Sequence, residues 1–283
     1  MTPVALAWVV APSIVAFVLL LGARPRRAGE GKALPLALAL AYVVGHFGLS
    51  GVDWAPTDVT QWMPHLAAVG LVWALLAPRG RWLVAIVASA VAAWIVLRPL
   101  AARLSAWELS GALVLAAAAL VTLSQVLRFA LAGQRPASAA FAVTLAGSVI
   151  AAACAASGTL VVGEFGGMVA AACGGLGVAA LLSRRAMRFE TVAPVLATLL
   201  WGVIALTFVY AEMRGPVLGI LSLVPLALAL PKAARLRRRL PLQLVGTALL
   251  GAVALWRALV PLTPSVAPAT SSDEASDIDY GYQ

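Results

Sequence analysis

Ten apolar runs occupy this 283-residue chain almost end to end, and the arginines and lysines between them crowd onto alternate connections. The runs fall at roughly 3–22, 34–52, 61–78, 82–98, 107–128, 137–157, 160–182, 191–211, 216–231 and 241–260. A bilayer crossing takes about 20 apolar residues, so ten crossings leave only short connections and one tail. Lipid offers no partner to an unpaired backbone N–H or C=O, so each crossing must satisfy its own hydrogen bonds as a helix. A barrel would alternate with period two, whereas the stretches 34–44 and 112–121 are continuously apolar. The expected fold is an all-α, polytopic integral membrane helical bundle of about ten transmembrane helices. It forms a single transmembrane domain over 1–260, followed by an acidic, Pro/Ser-rich tail over 261–283.

The chain is 63% hydrophobic and 11% charged, with mean hydropathy +0.99. A water-soluble domain carries about 25% charged residues, so the lipid bilayer is this chain's first partner. The net charge of +9 would suggest nucleic acid in a soluble protein. Here the bases belong to the connections, and nucleic acid is excluded as a partner. Only two of the twenty bases are lysine, a usage typical of a GC-rich genome. A bacterial cytoplasmic (inner) membrane is the expected location.

Orientation follows from those bases. Sixteen fall on one set of connections, among them Arg24, Arg26, Arg27, Arg81, Arg128, Arg188 and Lys232. Only Arg98, Arg103, Arg214 and Arg257 fall on the other. Positive residues stay on the cytoplasmic side, which predicts that both termini lie outside. Nine of the eleven acids then face outward, Glu30 and Glu190 being the exceptions. The first run lacks the charged leader of a secretory signal and is too long for one, so it is expected to remain as a membrane helix.

The tail, with Asp273, Glu274, Asp277 and Asp279 among Pro, Ser and Thr, cannot bury enough apolar surface to order itself in water. It is a candidate docking element for other membrane protein subunits.

The most polar stretch near the membrane is GHFGLSGVDWAPTDVTQWMPHL, spanning the end of the second run and the start of the third. His46 lies about 18 Å along its helix from Leu34, in the outer third. His46, Asp53, Asp58 and His65 are spaced symmetrically about the tip near Ala55–Pro56, so a hairpin would bring like residues to like depth. His and Asp are ligands for zinc and similar ions. These four lack the close spacing of a metal signature, and no metal or other cofactor is assigned. With Glu108 and Glu164 they form a candidate outer-face polar site, because ionisable residues at membrane depth mark function. Trp54, Trp62 and Trp107 belong at the same boundary as interfacial anchors.

Glycines mark expected helix packing. Gly163, Gly167 and Gly174 lie in the seventh run, and Gly215 and Gly219 repeat the small-xxx-small spacing in the ninth. Cys154 and Cys173 read as small packing residues. No run carries Asp, Glu, Lys or Arg at its centre; Thr122, Thr198, Thr207 and Ser222 are among the mild polar residues there. No catalytic triad or phosphate-binding glycine loop is present, and no catalytic residue is assigned.

Three functions fit. Ten closely connected helices have the bulk of a small-solute permease, in which five-plus-five halves would be related by inversion. Against it, the halves show no convincing sequence match, and carriers of this bulk usually keep both termini inside. A non-catalytic subunit or scaffold would explain the lack of central charge, the small-residue faces and the acidic tail. A membrane enzyme would act at the outer surface through acids such as Asp53, Asp58 or Glu108.

Overall fold

The computed structural model describes residues 3–22, 30–51, 56, 58–77, 80–157, 160–183, 187–210, 215–233 and 239–259. They form ten helices: α1 (Pro3–Gly22), α2 (Glu30–Ser50), α3 (Met63–Leu76), α4 (Arg81–Leu97), α5 (Ala106–Leu131), α6 (Pro136–Ala156), α7 (Leu160–Ser183), α8 (Ala193–Tyr210), α9 (Gly215–Ala233) and α10 (Arg239–Leu259). No strand occurs among the described residues. Nine helical segments among them are long and apolar enough to cross a membrane. The tenth, α1, is a 20-residue helix with a described apolar stretch at Val10–Leu21. The protein is an all-α, multi-pass membrane bundle.

Helix ends follow local chemistry. Ser105 and Glu108 close a capping box on α5, and Asp58 and Gln61 close another on the 3-10 turn Val59–Trp62 that leads into α3. Pro136 starts α6 and Pro64 sits in the first turn of α3, where a missing N–H costs nothing.

Helices α7 and α8 form the centre, most of their side chains being buried. α7 packs against α6, α1, α2 and α8; α8 packs against α3, α5 and α7. α5 and α10 run along the outside, largely exposed. In a membrane that surface meets acyl chains, which accounts for Leu115, Leu230, Leu249 and Trp256 facing outward.

Backbones approach where side chains are missing. A Cβ on Gly70 of α3 would meet Thr198 and Val195 of α8. On Gly202 of α8 it would meet Leu66. Gly163 and Gly166 abut Ala151 of α6, and Gly174 faces Thr144. Gly167 is half-buried on α7. Gly215 and Gly219 correct the sequence expectation: among the described residues a Cβ at either would meet nothing within 4 Å. Their spacing matches a packing motif, but among the described residues no other helix meets that face at these two positions. The close approaches fall instead at Gly70, Gly175, Gly202 and Gly251.

Sequential neighbours pair alike in both halves, as α1·α2 and α6·α7 do, but the contacts between the halves are not mirrored. Inversion of α1–α5 onto α6–α10 would pair α1·α7 with α6·α2, and α10·α6 with α5·α1. The first member of each pair is a major interface, and the second is at most a marginal contact among the described residues.

Candidate functional site

Three places on the bundle gather polar groups or space, and each draws its residues from several helices.

At one end, the α2–α3 hairpin brings the two histidines together. His46 is buried, with its ring 4.8 Å from Phe165 of α7 and 6.0 Å from Tyr42 (centroid distances). His65 lies 4.9 Å from the Trp62 ring. The two imidazoles interact electrostatically. Nδ1 of His46, Nδ1 of His65 and the Tyr42 hydroxyl are buried without a hydrogen-bond partner among the described residues. Three orphaned polar atoms in one region are unusual, because a buried polar group without a partner is costly.

Two of the acids named with these histidines, Asp58 and Glu108, are engaged in capping boxes. Asp58 is exposed and accepts from the backbone N–H of Thr60 at 2.9 Å. Glu108 is exposed and accepts from Ser105 N at 2.9 Å and Ser105 Oγ at 2.7 Å. Both therefore serve as helix caps. Glu164 lies inside α7, half-buried, one turn from its start. Asp53 lies outside the described residues, as do Asp273, Glu274, Asp277 and Asp279. Among the described residues no group of three or more His, Cys, Asp or Glu could hold a metal ion.

At mid-depth a groove of about 320 Å³ lies between α5, α8 and α9, open to the outside of the bundle where Ala119, Thr122, Ser222 and Leu226 are exposed. Thr122, Trp201, Ser222 and Pro225 line it with aliphatic neighbours. Each of these four falls near the middle of its helix. The Ser222 hydroxyl donates to the Leu218 carbonyl at 2.9 Å. Pro225 has no N–H to donate to the carbonyl of Leu221, which removes one i→i−4 hydrogen bond from the middle of α9. No charged residue lines the groove.

At the basic end of the bundle, a pocket of about 380 Å³ is lined by Arg81, Arg128, Arg188, Glu190 and Thr191, with alanines of α3 and Pro194 of α8. Arg188 Nε donates to Glu190 Oε1 at 2.8 Å, and Arg81 Nη2 donates to Gln125 Oε1 at 3.0 Å. In the sequence these arginines mark sidedness only. Their convergence could not be read from it, because they come from three different connections.

Buried hydroxyls elsewhere have local explanations. Thr198 donates to Val195 O at 2.9 Å, Thr207 to Val203 O at 2.8 Å and Ser89 to Ile86 O at 3.0 Å, each within its own helix.

No protein-family sequence profile matches this chain, and no characterised protein is significantly similar to it in sequence.

Proposed function

We propose that this chain is a permease of an uncharged, largely apolar solute, and that the solute occupies the groove between α5, α8 and α9. One observation carries the reading: the space lies at mid-depth, between a helix of the first five and two of the second five. A lining of Thr122, Ser222 and an indole, without charge, suits a solute with one or two weak polar groups. The proline inside α9 resembles the interrupted helices that carriers place at midplane. The outer histidine pair would then line the approach from the opposite face to the arginines. We place the protein in a bacterial inner membrane, with the basic connections inside and both termini outside, on the distribution of arginines.

A second reading, a non-catalytic subunit of a larger membrane complex, is favoured by the unmirrored contacts between the two halves. An enzyme at the outer face is disfavoured, because Asp58 and Glu108 are occupied as helix caps.

Cysteine accessibility separates the two. Both native cysteines, Cys154 and Cys173, are buried, so the thiol of Ser222→Cys stands alone. In a permease a water-soluble, membrane-impermeant methanethiosulfonate should modify it. Modification only by a lipid-soluble maleimide would make the groove lipid-filled and leave the subunit reading.

A further inference from the structure

We propose that Arg81, Arg128 and Arg188 form a binding site for a phosphate-bearing anion at the basic end of the bundle. This is independent of the solute groove, which lies at mid-depth on other helix surfaces.

The three side chains reach one pocket from separate elements: Arg81 from the first residue of α4, Arg128 from the last turn of α5 and Arg188 from the connection into α8. Like charges do not converge without cause. Among the described residues Arg81 and Arg188 repel Arg128, and Glu190 attracts it. That carboxylate, 14% exposed, is already held by Arg188 in the one ion pair among the described residues. Among the described residues that line the pocket, three guanidiniums face one carboxylate.

Arg128 is the residue with least satisfaction. It is half-buried, and among the described residues its guanidinium has no hydrogen-bond acceptor or ion-pair partner. Arg81 spends one donor on Gln125 and keeps the rest. A guanidinium carries five N–H donors in a planar fork, a geometry that matches two oxygens of one phosphate. The start of α4 adjoins Arg81. α4 begins at Gly80 with no side-chain cap, so its first backbone N–H groups lack side-chain acceptors beside Arg81. Thr191 turns its hydroxyl proton to Arg188 O at 2.8 Å, which leaves its oxygen lone pairs rather than a donor for a ligand. The site is therefore built from arginines and a helix start, with a carboxylate that orients Arg188.

The depth suits phosphate at an interface. The pocket sits where helices end and connections begin, the level of lipid headgroups, and basic pockets between transmembrane helices are known to hold them. A headgroup phosphate and a soluble phosphate present the same oxygens, so the two sources share this chemistry.

The test uses the full chain purified in mild detergent. Its thermal unfolding midpoint is followed while titrating three probes: dioctanoyl-phosphatidylglycerol, inorganic pyrophosphate and dioctanoyl-phosphatidylcholine. A saturable rise with phosphatidylglycerol alone assigns the site to a headgroup. A rise with pyrophosphate as well assigns it to phosphate in general. Arg128→Gln should weaken the apparent affinity about tenfold or more, the loss expected for a charge-assisted hydrogen bond. Arg188→Gln, at an exposed position, serves if Arg128→Gln fails to fold, with a similar loss expected. Arg257→Gln, at the opposite end of α10, should change nothing. The proposal is overturned if neither anion raises the midpoint beyond the phosphatidylcholine response. It is equally overturned if Arg128→Gln, or Arg188→Gln in its place, responds as the native chain does.

Discussion

The hydroxyl of Ser13 donates to the carbonyl oxygen of Ala171 at 2.7 Å, and the Ser13 backbone occupies the place a Cβ on Gly175 would need. α1 and α7 thus touch through backbone atoms, with Pro12 beside the contact. Gly175→Ala must push the helices apart. It should lower stability in detergent by about 1–3 kcal/mol, the usual cost of overpacking. The matched control, Gly219→Ala, adds its methyl to open space. It should be neutral or stabilising by up to about 1 kcal/mol through helix propensity. Denaturant or thermal unfolding of the two variants side by side checks the sign of each.

Lys232 of α9 reaches across to the end of α5, where its Nζ donates to Phe129 O at 2.6 Å and Ala132 O at 2.9 Å. Those carbonyls belong to the last turn, where helical partners run out and a cation is favoured. Lys232→Met keeps the aliphatic stem and loses the charge. It should cost roughly 1–3 kcal/mol, with faster hydrogen exchange at the end of α5 and little change elsewhere.

The helices were legible in the sequence because lipid leaves one solution for a long apolar run. The end of the sixth run, read at 157, lies one residue from the observed Ala156. The start of α2 was read at 34 and is observed at Glu30, because Gly31 and Lys32 continue the helix beyond its apolar part. Packing was less legible. Gly163 and Gly215 carry the same small-xxx-small signature, but among the described residues only Gly163 has a helix against it. Spacing along one helix says nothing about which neighbour arrives. The arginine pocket was hidden for a related reason: Arg81, Arg128 and Arg188 stand 47 and 60 residues apart. Each had a sufficient local explanation in topology.

The distribution of bases predicts which face is which. A single cysteine at either terminus, in a chain whose two native cysteines are buried, should react with an impermeant maleimide on intact cells. A cysteine at Ser183, at the basic end of α7, should react only after lysis. Protection of either terminus would reverse the assignment of the arginine pocket to the cytoplasmic side.

The acidic tail, residues 261–283, tests the subunit reading directly. If Asp273, Glu274, Asp277 and Asp279 dock a basic partner, removing the tail should leave the bundle folded. It should also strip any co-purifying subunit in mild detergent. Retention of the same subunits in the same ratio would remove the tail from the argument.

His46 offers the sharpest contrast between a structural and a functional burial. Its Nδ1 has no partner among the described residues, and its ring already lies against Phe165. Replacing an unsatisfied polar group with an apolar one of similar shape is neutral or stabilising. His46→Phe should therefore hold or raise the unfolding midpoint of the purified protein. The phenyl ring is the larger of the two, so a small repacking against Tyr42 and Phe165 is included in that expectation. A fall of more than about 1 kcal/mol, beyond ordinary repacking cost, would mean that Nδ1 holds something in the native membrane. In that case His65→Phe should show the same fall. The double variant should then cost less than the sum of the two, since groups that share one partner couple.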